Sequence, residues 1–509
     1  MSDVRAAERT GHGGSPDLPD DWWAAGLTLA ERCAPGTGWR PVPTASHPDA
    51  PTGRIREPAG AEVASGEPAS AEPAGAESSG VASAPPAARE RLRVWYDAHE
   101  LGASGQFAAR LADLDLTEDD LLALLAEAPA RLAARVGEPA WARFTSRVLS
   151  QPYHRAGHPA GEDDPAVTYV PPPQPAEATG SPDDRAWVAG FGRVLAPYLD
   201  VSDDLLVRSA TVTEHIDLAA VRGDFRAALS RRLVRVAVRA LVRDLNNRRA
   251  RGELTGATPA ERFADFVRQL RRPVELRAFL LRYPVLARLL AQTCQQAVEA
   301  TTELLRRLAA DRPALVDTFF AGADPGRVVG IDLGAGDRHQ RGRAVALLRF
   351  AGGARVVYKP RPLAVHRHFT EVLRWLNARQ PELDLRTLAM LDRGGYGWVE
   401  FVPARPCADS AAVRRFYRRQ GALLALLYAF DGADIHYENL VACGDQPVLV
   451  DVETLFHPYL PPSGEVHADP AAVALARSVY RSALLPQLMV GDHGALDISG
   501  LGGDRGGSS

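Results

Sequence analysis

Near residue 328 the hydrophobic pattern changes its period, and one kind of secondary structure cannot serve both sides of the change. Before it, Phe225, Leu229, Leu233, Val236 and Ala240 recur at steps of three and four, which places them on one helix face. After it come short β-type runs with glycine-rich turns between them: Val328–Ile331, Ala344–Phe350 and Arg355–Tyr358. A helix bearing Phe369, Val372, Leu373, Trp375 and Leu376 follows. Strand candidates at 386–391 and 396–402 flank Asp392-Arg393-Gly394-Gly395, and a long helix covers 410–430. The expected class is α+β, a helical N-terminal region followed by a core of strands, one helix, more strands and a mainly helical part. That is the element order of a two-lobed phosphotransferase.

Four segments follow from the same pattern. Residues 1–40 form an N-terminal segment with one amphipathic candidate, Asp21 to Arg32, whose paired Trp22 and Trp23 are expected to dock onto a later core. Residues 41–90 are rich in Pro, Ala, Gly, Ser and Glu, and repeat Pro-Ala-Gly-Ala-Glu at 58–62 and 73–77. Such a stretch buries too little apolar surface to offset its ordering entropy and reads as a disordered linker. A second polar, proline-rich gap covers about 154–183. Residues 91–325 are mainly helical, with a helix start at Thr117-Glu118-Asp119-Asp120, a capping box at Thr258-Pro259-Ala260-Glu261 and an interruption at Tyr283-Pro284. Residues 326–509 hold the phosphotransferase-like core.

Composition narrows the functions available. A net charge of −4 gives no basic field for nucleic acid. No apolar run is long enough to span a bilayer, and the polar N-terminus lacks a signal core, so a cytoplasmic protein is expected. Cys33, Cys294, Cys407 and Cys443 are far apart, which suits reduced thiols better than a disulfide framework or a cysteine zinc site.

One of the 59 basic residues is lysine, and the rest are arginine. In a chain that uses arginine for its solvated cations, the surviving Lys359 marks a place where a compact point charge is needed rather than a planar fork. It ends the run Val356-Val357-Tyr358. Downstream, Asp434 and Asn439 are separated by four residues, and Asp451 ends the apolar run Val448-Leu449-Val450. Lysine on a strand, Asp-x4-Asn and a later metal-holding Asp is the order found in protein kinases. Asp434 could orient a hydroxyl and take its proton, Asn439 and Asp451 could offer oxygens to Mg²⁺, and Lys359 could place charge on the non-transferred phosphates. No Gly-x-Gly-x-x-Gly loop accompanies them; Gly334-Ala335-Gly336-Asp337 is the nearest glycine-rich turn.

The motifs Gly336-Asp337-Arg338-His339-Gln340-Arg341-Gly342-Arg343, Tyr358-Lys359-Pro360-Arg361, Asp434-Ile435-His436-Tyr437-Glu438-Asn439 and Asp451-Val452-Glu453-Thr454-Leu455-Phe456 resemble the dehydratase domain of class II lanthipeptide synthetases. Leu254-Thr255-Gly256 through Phe266 and Tyr283-Pro284-Val285-Leu286-Ala287-Arg288 resemble its helical part. The resemblance runs from about residue 90 to the C-terminus. It implies a lipid-kinase-like core that uses ATP and Mg²⁺ to phosphorylate Ser and Thr of a precursor peptide, then eliminates phosphate to leave dehydroalanine or dehydrobutyrine. Carried across, Lys359 contacts phosphate, Asp434 is catalytic, and Asn439 and Asp451 bind the metal. His436, Glu453, Asp337 and His339 match further active-site positions of the family.

In that family the residues of phosphate elimination and a zinc-dependent cyclase follow the Asp-Val-Glu motif at greater distance than this chain extends. The expectation is therefore a core incomplete at the C-terminus, carrying the phosphorylation signature and no zinc. Two other functions fit the same motifs: an inactive module that binds the precursor, and a small-molecule kinase with a similar core.

Overall fold

Thr258 illustrates how local chemistry sets the elements. Its hydroxyl accepts the Glu261 N–H at 3.2 Å while the Glu261 carboxylate accepts the Thr258 N–H at 3.0 Å, and Pro259 begins the helix. Thr117 and Asp120 do the same at another helix start, at 3.1 and 2.9 Å. The structure, a computed structural model, describes residues 18–34, 86–97, 106–150, 182–210, 214–334, 341–456, 469–486, 488–491 and 494–502. Most of the expected linker and most of the gap at 154–183 lie outside them.

The helices in chain order are α1 (Leu29–Cys33), α2 (Pro86–Asp97), α3 (Gln106–Ala112), α4 (Glu118–Ala126), α5 (Pro129–Val136) and α6 (Ala140–Ser150). Then come α7 (Pro182–Val194), α8 (Ala196–Ser209), α9 (Leu218–Ala250), α10 (Pro259–Leu270), α11 (Pro273–Arg282) and α12 (Pro284–Phe320). The core continues as β1 (Val328–Asp332), β2 (Ala346–Phe350), β3 (Arg355–Lys359), α13 (Ala364–Arg379), β4 (Met390–Asp392), β5 (Gly397–Glu400), α14 (Ser410–Ala429), β6 (Leu440–Cys443) and β7 (Gln446–Leu449). It closes with α15 (Pro470–Ala476), β8 (Leu488–Gly491) and β9 (Gly494–Asp497). The class is α+β, with helices dominating and every paired strand antiparallel.

The chain divides into two units, residues 1–149 with 277–289, and residues 150–276 with 290–509. The first packs Ala88, Leu92, Phe107, Leu111, Leu116 and the leucines of α4 into one cluster. Trp22 meets Trp141 edge to face with ring centroids 5.7 Å apart, so the paired tryptophans do dock on a later core. The segment from Asp21 to Arg32 is not one helix, however. A 3-10 turn at Ala24–Gly26 is separated from α1 because Thr28 caps the second piece, with Glu31 closing the box.

The second unit carries a five-stranded sheet in the order β1-β2-β3-β5-β4. Lys359, at the end of β3, pairs with Gly397 of β5. A Cβ on Gly397 would lie 2.3 Å from Leu363 Cδ1 and 2.8 Å from the Leu391 carbonyl oxygen, so the close approach there admits only glycine. The helix α12 is tied to this sheet by buried Asp311, which accepts from Trp398 Nε1 at 2.8 Å and Tyr396 Oη at 2.9 Å and pairs with Arg393 at 2.9 Å. The strand expected at 386–391 is shorter and later, at Met390–Asp392. Upstream of it the backbone bonds to side chains instead of a neighbouring strand: the Leu385 N–H donates to Asn377 Oδ1 at 2.8 Å and the Arg386 N–H to Gln446 Oε1 at 3.1 Å.

Candidate active site

Three backbone devices bring the candidate residues together. β3 ends on Lys359, the β6–β7 hairpin opens between Asn439 and Val450, and the loop after α14 presents Asp434. The Val450 N–H donates to the Asn439 carbonyl at 3.0 Å, while Lys359 Nζ donates to the Val450 carbonyl at 2.6 Å. One peptide segment therefore links the lysine to the asparagine. Lys359 Nζ is also 3.7 Å from Asp451 Oδ2 and 2.9 Å from His366 Nε2.

Lys359 is 3% exposed. Burial lowers its pKa to about 8, against the pull of Asp451, and Arg361 adds to the lowering. Burial and the adjacent ammonium likewise depress His366, so its imidazole stays neutral and accepts from Lys359. His366 lies on the buried face of α13 with Phe369, Thr370 and Leu373. Arg361 binds Asp451 Oδ2 at 2.5 Å through one terminal nitrogen and Glu453 Oε2 through the other. Asp451 Oδ1 in turn accepts the Glu453 N–H at 3.3 Å.

Asp434 has φ +58°, a left-handed conformation that costs a non-glycine residue strain and clusters at working sites. Asp431 and Phe456 share that region at +52° and +60°. The loop is held by its neighbours: the Ile435 N–H donates to the Ser482 carbonyl at 2.8 Å, Thr454 Oγ1 to the Ala433 carbonyl, and the Phe456 N–H to the Phe430 carbonyl at 2.7 Å. Ile435 is fully buried, which turns the Asp434 side chain outward, 66% exposed. Asn439 Nδ2 donates to the Asp434 carbonyl at 2.8 Å, leaving its amide oxygen for another partner. His436 lies 3.4 Å from the Asp434 carboxylate and 3.3 Å from Glu438. Burial alone would lower the His436 pKa, but the Asp434 carbonyl and the Glu438 carboxylate outweigh it and hold the pKa raised.

Lys359, Asp451 and Glu453 thus form one group, and Asp434, His436 and Asn439 another, joined through Val450. Asp337 and His339 lie outside the described residues. Sequence reasoning did not single out Arg361 or His366. Arg361 was visible as the last residue of the Tyr-Lys-Pro-Arg motif, and His366 as a titratable residue at helical spacing from Phe369 and Leu373, seven residues beyond Lys359.

Asn439, Asp451 and Glu453 offer oxygen donors alone, which suits a hard divalent cation that takes one or two carboxylates and completes its shell with phosphate oxygens and water. The guanidinium of Arg361 already stands on the two carboxylates as a positive group. Among the described residues no three of His, Cys, Asp and Glu come together as metal ligands, so a cation at these two acids would take its remaining ligands from Asn439, phosphate and water.

Residues 283–509 match a family described as a domain of unknown function (DUF4135). The chain is also similar to a lacticin 481/lactococcin biosynthesis protein, LcnDR2, of Lactococcus lactis subsp. lactis, at 24% identity over 234 residues. That match takes in 44% of this chain and 25% of the relative, so it spans about a quarter of the relative's length. Both matches agree with the resemblance to class II lanthipeptide synthetases carried by the motifs. Among the described residues, no helix is long and apolar enough to cross a membrane.

Proposed function

We propose that the larger unit is a kinase-like phosphotransferase of lanthipeptide biosynthesis, which uses ATP and Mg²⁺ to phosphorylate Ser and Thr of a precursor peptide. This would be the first half of dehydration to dehydroalanine or dehydrobutyrine. The observation that carries the reading is the convergence of Lys359, ending the third strand of the sheet, with Asp451 after the hairpin whose other arm begins at Asn439. Protein kinases place their lysine on the third strand and their metal-binding Asp after such a loop. One feature departs from that pattern: the partner of the lysine on the following helix is neutral His366 rather than a glutamate.

Asn439 and Asp451, with Glu453 beside them, would hold Mg²⁺, which would supply positive charge against the charge that develops during phosphoryl transfer. Lys359 supplies a fixed positive charge to the non-transferred phosphates. Asp434, exposed and strained, orients the peptide hydroxyl and takes its proton as the oxygen accepts the phosphoryl group and ADP leaves. His436, held in turn by Glu438, braces that carboxylate.

Incubation of the full chain with ATP, Mg²⁺ and Ser/Thr-bearing lanthipeptide precursors, read by mass spectrometry, tests the reading. Phosphate should be gained, and Asp434→Asn and Lys359→Arg should each lower the rate by about 100-fold or more. Equal rates in those variants would defeat it. Binding of the precursor without modification would favour an inactive binding module, and transfer to small molecules alone a different kinase.

A further inference from the structure

Arg361 stands where the site should be most open. Its guanidinium lies across both acids of Asp451-Val452-Glu453, bonded to Asp451 Oδ2 at 2.5 Å and to Glu453 Oε2. The Arg361 side chain is 18% exposed and that of Asp451 20%, so this arm of the bridge is sheltered from solvent screening, while Glu453 is more open. The carboxylates that a divalent cation would need are therefore already neutralised from within the chain. A cation at Asp451 Oδ2 would compete with the guanidinium for the same oxygen and be repelled by its charge. The third donor of the same group, Nε, is buried and has no hydrogen-bond partner among the described residues. A buried donor left unanswered is costly, and a permanent structural ion pair would be expected to satisfy it. The fork of an arginine matches phosphate oxygens as well as carboxylate oxygens. Pro360 fixes the backbone between Lys359 and Arg361, so only the arginine side chain has to turn.

Resting on the kinase reading above, we propose that Arg361 is a cation surrogate that makes divalent-cation binding depend on nucleotide. Without nucleotide it closes Asp451 and Glu453. When phosphates arrive, the guanidinium turns to them and releases both carboxylates to the incoming cation. Arg361 is a positioning residue that sets the order of binding, so that a bare metal ion does not occupy the site ahead of its substrate.

The test is Mn²⁺ binding to the full chain, read from the electron paramagnetic resonance signal of free Mn²⁺, with and without ADP, each value corrected by a protein-free titration for the Mn²⁺–ADP complex formed in solution. The wild type should bind Mn²⁺ weakly alone and on the order of tenfold more tightly with saturating ADP. Arg361→Gln should gain that affinity for Mn²⁺ alone and show little further effect of ADP. Arg361→Lys keeps the charge and should remain closed, and adding Asp451→Asn to Arg361→Gln should remove the gained binding. A wild type that binds Mn²⁺ equally well with and without ADP overturns the proposal, and so does a folded Arg361→Gln with unchanged Mn²⁺ affinity. Because the wild-type comparison needs no variant, a misfolded variant does not rescue the idea. If the wild type binds neither ADP nor Mn²⁺ together with it, the kinase reading itself fails; if ADP and Mn²⁺ bind independently, only the surrogate role fails.

Discussion

Lys359 places a charge where burial opposes it. In the protein free of metal and nucleotide, its pKa falls from 10.5 to about 8, with burial the leading cause. A cation with a lowered folded pKa destabilises the fold fully below that value, and the penalty fades as pH climbs toward the unfolded value. The wild type should therefore gain stability between pH 8 and 10.5, by up to about 3 kcal/mol at 1.36 kcal/mol per unit. Lys359→Met should lose that gain while losing phosphoryl transfer at every pH. Urea unfolding of both proteins across this range measures the difference, and parallel pH profiles would contradict it. Lysine usage made this residue visible in the sequence. The positions of Arg361 and His366 could be read there too, but not their roles, because nothing in a chain of arginines and thirteen histidines says which of them folds back onto a given amine or carboxylate. Their roles depend on where α13 and the β6–β7 hairpin pack.

Elements were legible to the extent that their stabilisation is local. The helix start at Thr117, the capping box at Thr258, the break at Tyr283-Pro284 and the pairing of β2 with β3 all rest on neighbours close in sequence. The early part of the expected fourth strand failed for the opposite reason, since Gln446, sixty residues away, takes the Arg386 N–H. The contact of α12 with the sheet is also long-range. Asp311 is 5% exposed and collects Trp398, Tyr396 and Arg393. Asp311→Ala would leave a buried indole N–H, a phenol and a guanidinium without their acceptor, at a cost of about 3–5 kcal/mol. Its urea midpoint should fall accordingly, and a loss below about 1 kcal/mol would show that the three donors find other partners.

At the scale of the molecule, the four cysteines report on different depths. Cys294 is fully buried in the larger unit, and burial pushes its thiol up to about 12, with Ser202 opposing the shift only in part. Its thiol is therefore protonated and shielded at pH 8, whereas Cys33, Cys407 and Cys443 are half-buried. With a maleimide at pH 8, Cys294 should be the last to react, and only as fast as the core around α8 and α12 opens. Modification of Cys294 at the rate of the other three, in the native protein, would mean that this core is looser than its packing suggests.

The link through Val450 has a consequence for heredity. Its N–H goes to Asn439 and its carbonyl to Lys359, so the function of this position is written in the main chain. Every amino acid except proline carries the same two groups. The position can drift among apolar residues without disturbing the link, and a substitution scan would score it as permissive. Only a change that edits the backbone, such as an ester in place of the amide, would expose how much the site relies on it.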